Sequence, residues 1–402
     1  MMKSKKGTAT VLICLFFVTL MSLISAYIGA AKATALSSAV KSLGSLWGES
    51  VMAEYDLNLY NRYGLFGFYG QPVDVTDRLD FYAIRSIGQK RYVDYGGSKV
   101  RLYDYSLVSF DVFKKQVVKT GKYSLKEETC KPEEMKRIPG SQVTTSETVL
   151  FDSLPSGGMS SAVNISQAID VLKSVTDFRN LINNTSDAYF ENRYIDCYFK
   201  SHINDGELGE TYFSNEKEYI ICGHKDDESN ARAIKMRIIG VREALNTAFI
   251  IKNPSMCAQA LAAAEVITPG PAAAATQKAL IAAWALAESN NDYRLLIKGH
   301  SIPIMKTEAT WAIDLESIVN NTENGVVFTG VDKGENYDDY LLLFLYLMDE
   351  RVKLLRVMDL IQINSRYLYY DSFLLKNYNA GLEYQLNVNG KKYEFNKEYE
   401  KG

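Results

Sequence analysis

Histidine is nearly absent from this chain, with three in 402 residues, and His202, His224 and His300 stand far apart without HExxH or any other ligand spacing. The familiar helical zinc motifs are thereby excluded, and each histidine reads as structural or surface. Cysteine is also sparse, with five residues and no CxxC pair. There is no GxSxG, no SxxK and no paired-carboxylate signature, and Tyr95-Gly96-Gly97-Ser98-Lys99 lacks phosphate-loop spacing and reads as a turn. Asp332, Asn336 and Asp338 alternate as calcium ligands would. An EF-hand, however, needs glycine at the sixth position and glutamate at the twelfth, where this chain has Tyr337 and Leu343, so a loop running into helix-capping aspartates fits better. Lys and Arg number 45 against 48 Asp and Glu, with no basic run interleaved with aromatics, which argues against nucleic acid. These absences give an expectation of no enzyme, no catalytic residue, no cofactor and no metal.

Charge itself is missing from Gly7 to Ala31. That uncharged apolar run meets the ~20 residues a helix needs to cross a ~30 Å hydrocarbon core. Lys3, Lys5 and Lys6 precede it, so the positive-inside tendency puts the N-terminus in the cytosol and everything beyond Lys32 outside, with the lipid bilayer as the first partner. The alternative is a cleaved signal peptide with its cleavage site near Ala31 to Ala35. The run exceeds the ~7–15 residues of a typical signal core, which favours a retained anchor.

Beyond the span, Leu36, Val40, Leu43, Trp47, Val51, Tyr55 and Leu59 recur at helical spacing. The membrane helix is therefore expected to continue outward as a stem to about Tyr63, with a bend allowed at Gly44 and Gly48. The stripe suits either sister or partner helices or, as the simpler reading, this chain's own outer domain.

The opening Lys6-Gly7-Thr8-Ala9-Thr10-Val11 resembles the amino-terminal motif of Tad/Flp-type pseudopilins, with Leu12 where that family has a glutamate that seats each subunit on its neighbour. Ala53-Glu54-Tyr55-Asp56-Leu57, Arg62-Tyr63-Gly64-Leu65-Phe66, Ile221-Cys222-Gly223, Ile239 to Asn246, Tyr340 to Glu350 and Met358 to Gln362 resemble an uncharacterised family of Gram-positive surface proteins associated with Tad-like pilus or secretion loci. The resemblance implies a cell-surface place, and pilus or secretion subunits or a second copy as partners through the stem. On it, Gly7, Leu12, Leu36, Val40, Leu43, Trp47 and Val51 are the candidate membrane and assembly residues. The function implied is a structural or accessory component of such an apparatus. The rival is a membrane-tethered ligand-binding or sensor ectodomain.

The expected fold is α+β. Its parts are a cytoplasmic start at 1–8, a span at 9–31, a stem at 32–64, a small α+β region at 65–128, a flexible Ser/Thr/Pro/Gly-rich linker at 129–162, and a mainly helical outer domain at 163–402. Within these, Val100 to Phe110 alternates as a strand, Phe113 to Glu128 reads as a basic helix, and Ile165 to Ile195 as a helix interrupted near Asn183. Tyr219 to Cys222 reads as a short buried strand. Ala231 to Ile251 is an amphipathic helix with Arg237, Arg242 and Glu243 on its polar face, followed by an alanine-rich helical pair. One core helix is expected from Tyr337 through Leu355, then a hairpin turning at Asn389-Gly390. Cys14 lies in the span, leaving Cys130, Cys197, Cys222 and Cys257 outside. Among pairings Cys197 with Cys222 is the first choice, and buried free thiols are the simpler reading.

Overall fold

The computed structural model describes residues 6–87, 93–126, 132–137, 139–160, 163–174, 186–204, 208–320 and 325–399. Lys3, Lys5, Cys130 and the expected interruption at 183–185 lie outside them. In chain order the first helices and strands are α1 (Lys6–Met52), α2 (Leu57–Tyr63), β1 (Phe68–Tyr69), α3 (Pro72–Ile87), β2 (Tyr95–Arg101), α4 (Phe110–Lys126), α5 (Glu147–Leu150), α6 (Ile165–Ser174) and α7 (Asp187–Tyr198). There follow α8 (Glu216–Cys222), α9 (Asp227–Lys252), α10 (Pro254–Ile267), α11 (Ala273–Leu296), α12 (Leu315–Val319), α13 (Tyr337–Leu347), α14 (Glu350–Leu368), β3 (Tyr378–Asn379), β4 (Gly381–Val388) and β5 (Lys391–Glu398). The fold is α+β, with one long apolar N-terminal helix, small antiparallel sheets and a C-terminal hairpin. It forms two compact units, one of residues 1–56, 67–106 and 377–402, the other of 57–66 and 107–376. The C-terminal hairpin thus shares a unit with the stem, not with the helices that precede it.

In the first unit β4 runs antiparallel between β2 and β5, and β1 pairs with β3. Asn389 and Gly390 both take positive φ, 52° and 72°, the backbone a type I′ turn requires and one that Asn-Gly adopts at little cost. β2 occupies the segment expected to be a turn, while the alternating run expected as a strand begins only at its end and continues into a 3₁₀ turn, Tyr103–Tyr105. The cause is tertiary. A bulge between Tyr95 and Ser98, with Gly97 at φ +93°, lets the glycines join a ladder to β4, a partner almost 300 residues away. Val75, Leu79 and Ala83 of α3, spaced four apart, meet Leu382, Tyr384, Leu386 and Val388 of β4 in one apolar core.

The second unit is built on α14. Every residue from Val352 to Arg366 is buried, polar ones included. The single core helix expected from Tyr337 is in fact two, because Asp349 leaves the helical conformation and its carboxylate accepts from Val352 N at 3.0 Å, starting α14 afresh. The described part of the expected linker is held to this helix: Arg366 Nη1 donates to the carbonyls of Val149 and Asp152, each at 2.7 Å, and Ser156 N donates to Asp359. Tyr219 to Cys222 is the second half of α8 and not a strand. Among the described residues the Ile-Ile pair has no strand to join, and Gly223 at φ +76° ends a helix in the left-handed form that favours glycine. Arg242, assigned from sequence to a polar face, is fully buried in α9.

Candidate functional site: the stem and its groove

α1 has two halves with opposite surroundings. From Val11 to Ile28 its large apolar side chains are exposed, Leu12 at 71% and Tyr27 at 76%. Gly7 lies in its first turn. From Val40 onward one face is covered: Val40, Trp47 and Val51 are buried, and Leu36 and Leu43 pack at the edge of the same core. The five stripe residues from Leu36 to Val51 therefore pack on the core that α1 shares with α3 and the hairpin, the simpler of the two sequence readings, while Tyr55 and Leu59 lie beyond the end of α1 at Met52.

Gly44 and Gly48 are not bend points, since α1 is one unbroken helix through both. A Cβ on Gly48 would come within 2.9 Å of the Tyr384 ring, and one on Gly44 within 2.9 Å of Leu386 and Phe395. The glycines let the helix lie directly on the hairpin, where Tyr384 OH donates to Gly44 O at 2.6 Å and stacks on Phe395 at 5.0 Å between ring centroids. Trp47 Nε1 donates to Ser86 Oγ at 3.0 Å. The outer end of the helix is clamped by charge, with Lys397 to Glu49 at 2.7 Å and Arg78 to Glu54 at 2.7 Å. Lys397 holds the Glu49 carboxyl below its ordinary range.

Toward the span the clamp opens. Between α1, the end of α3 and the hairpin tip lies a groove of about 930 Å³, walled by Leu36, Val40, Leu43, Trp47, Ile87 and Val388. Its charged lining residues are Lys32 and Lys391, and its neutral polar ones include Ser86 and Asn389. Among the described residues no carboxylate, thiol or imidazole lines it, and those that do make an apolar trough with a cationic rim.

The buried carboxylates with altered surroundings lie in the second unit, where sequence reasoning found no signal for them. Arg242 Nε meets Asp292 at 3.0 Å, and Lys306 Nζ meets both Glu288 and Asp292 at 2.7 Å, all four side chains buried. Burial works to raise Asp292, but Arg242 and Lys306 outweigh it and hold the carboxyl below its usual range. Burial pushes Glu288 up against the pull of Lys306. Arg242 also donates to the carbonyls of Pro303 and Ile304, so the cluster ties α9, α11 and the 303–306 segment together. Such a set of pairs holds these elements in one register.

The remaining candidates are occupied structurally. Asn336 and Asp339 form a reciprocal capping box at the start of α13, Asp332 accepts from Ser301 N at 2.7 Å, and Asp338 faces Lys217. His300 stacks on Phe328. Cys197 is disulfide-bonded while Cys222 and Cys257 are free thiols, so the pairing of Cys197 with Cys222 is not made. Cys222 instead faces Arg237.

These features define a class: an α+β protein with a candidate single-pass membrane helix and an apolar groove along its stem. The chain belongs to DUF5702, a family of unknown function, which it matches over residues 131–390, about two-thirds of its length. Comparison with curated proteins and with solved structures finds no match.

Proposed function

We propose that the protein is a membrane-anchored structural or accessory component of a Tad-like pilus or secretion apparatus, with its N-terminus in the cytosol and its folded units on the outer face of the membrane. The observation that carries the anchored part is the bare first half of α1: large apolar residues exposed on every side from Val11 to Ile28 need a non-aqueous cover, and a bilayer supplies it. The disulfide at Cys197 suits an oxidising compartment. The pilus part rests on the pseudopilin-like opening around Gly7. Because the Leu36 to Val51 stripe packs mostly on this chain's own core, contact with partner helices falls first to the span, with Leu12 among its exposed residues. Leu12 in place of the family's glutamate suits a subunit that caps or initiates an assembly. A tethered ligand-binding ectodomain is the second reading, favoured by the groove at the stem.

Protease applied to intact cells should remove a C-terminal tag while leaving α1 in the membrane fraction. Cysteines placed one at a time at Leu12, Phe16 and Leu23 should crosslink to pilus or secretion subunits. A protected tag sinks the topology. Span cysteines that crosslink to nothing, in cells whose pilus assembly survives deletion of the gene, sink the apparatus role and leave the tethered ectodomain.

A further inference from the structure

We propose that the stem groove takes an acyl chain of an anionic bilayer lipid, with the lipid headgroup held by Lys32 and Lys391; the inference rests on the anchored reading of α1. The register between helix and hairpin sets the direction of the groove. Tyr384 lies at Gly48 and Phe395 at Gly44, so passing from these toward the Asn389-Gly390 turn means passing back along α1 toward its apolar half. The hairpin tip therefore points at the membrane. Lys391 and its exposed neighbour Lys392 come to the level of the first stem residues.

Three properties select the occupant. The first is continuity, since Lys32 is four residues past Ile28 and so about 6 Å along the helix axis from it, which puts the groove mouth in the headgroup layer of the leaflet that the helix leaves. The second is length and character. From Lys32 to Trp47 the helix wall runs about 22 Å, enough for a chain that fills one leaflet of about 15 Å, and alanines at 33, 35 and 39 keep that wall low. An apolar trough of this size left to water would forgo the contacts that a neighbouring lipid tail supplies. The third is charge: Lys32 and Lys391 are both exposed and, among the described residues, no carboxylate lines the groove. A cationic rim over an apolar slot fits an anionic amphiphile better than a neutral or cationic one.

Trp47, at the far end of the groove, is the built-in reporter. The full chain would be reconstituted into phosphatidylcholine vesicles containing phosphatidylglycerol, with bromine on the acyl chains of one lipid or the other. Trp47 sits about 22 Å along the helix from Lys32, beyond contact quenching by lipid that stays in the leaflet. Its emission is isolated by subtracting the signal of a W47F variant from that of the wild type. Brominated phosphatidylglycerol is expected to give a loss of Trp47 emission that brominated phosphatidylcholine does not. K32E/K391E, at two exposed positions, and A39F, which fills the trough from an exposed position, should each abolish that loss. Equal quenching by both lipids overturns the anionic choice, and no quenching by either in a protein that floats with the vesicles overturns the lipid site alone. A chain that fails to float overturns the anchor and this inference with it.

Discussion

At the scale of single residues, the chemistry of this protein is decided by burial more than by residue type. Glu216, Lys217 and Glu218 open α8 with the charge pattern of a surface helix, yet all three are buried. Glu218 accepts from His202 N at 3.0 Å and Tyr337 OH at 2.8 Å through one oxygen, while its other oxygen is buried with no hydrogen-bond partner among the described residues. Burial pushes this carboxyl up to about 7, against the opposing pull of those donors. The folded state thus keeps a proton that the unfolded chain gives up near its ordinary 4.5. Below 4.5 both states are protonated and the group contributes nothing to pH dependence. As pH rises from about 4.5 to 7 the unfolded state is increasingly favoured, by up to about 3 kcal/mol in all. Glu218→Gln keeps the accepting oxygen and removes the ionisation. The variant should match the wild type in denaturant unfolding at pH 4 and exceed it at pH 8 by about 2–3 kcal/mol. Equal stability at both values would mean that the carboxyl is ionised in the fold.

At the scale of elements, the stem helix shows how one sequence pattern serves two environments. The same helix is bare where it meets lipid in the proposed function and close-packed where glycines admit the hairpin. Gly29, in the bare half, has nothing within 4 Å of where a Cβ would stand, and Gly48 has the Tyr384 ring. Gly48→Ala should therefore lift α1 from β4 and cost roughly 1–3 kcal/mol, the range for overpacking a fitted core, whereas Gly29→Ala should leave stability unchanged or slightly raised. Thermal unfolding of the detergent-solubilised full chain, with limited proteolysis of the hairpin, separates the two. A harmless Gly48→Ala would show that the close approach is dispensable. A small-residue spacing of four on an apolar helix is visible in sequence. What it faces is not, because Tyr384 and Phe395 are more than 300 positions away.

At the scale of the whole molecule, the thiols test the compartment. Peptide mapping without reductant should find Cys222 and Cys257 alkylated after denaturation and Cys197 alkylated only once reductant is added. Free alkylation of Cys197 from native cells would argue against an oxidising location. By itself the sequence determined the long apolar N-terminal helix, its stripe from Leu36 to Val51, the α9 to α11 helices, the hairpin with its Asn-Gly turn and the α+β class, because each follows from periodicity or local turn chemistry within a short window. The stem ends at Met52 and not at Tyr63, so Tyr55 and Leu59 lie beyond it. Only the tertiary structure decided that β2 is a strand, that α8 is a helix, that 139–160 is held by Arg366 and Asp359, and that Arg242 and Glu218 are internal. Each of those depends on a partner distant in the chain, and a charged residue reads as surface until the group that neutralises or desolvates it is known. The groove belongs to the same category. Its walls come from the stem, α3 and the last hairpin, and no local pattern records that close packing at Gly44 and Gly48 leaves the helix uncovered above them, where the hairpin ends.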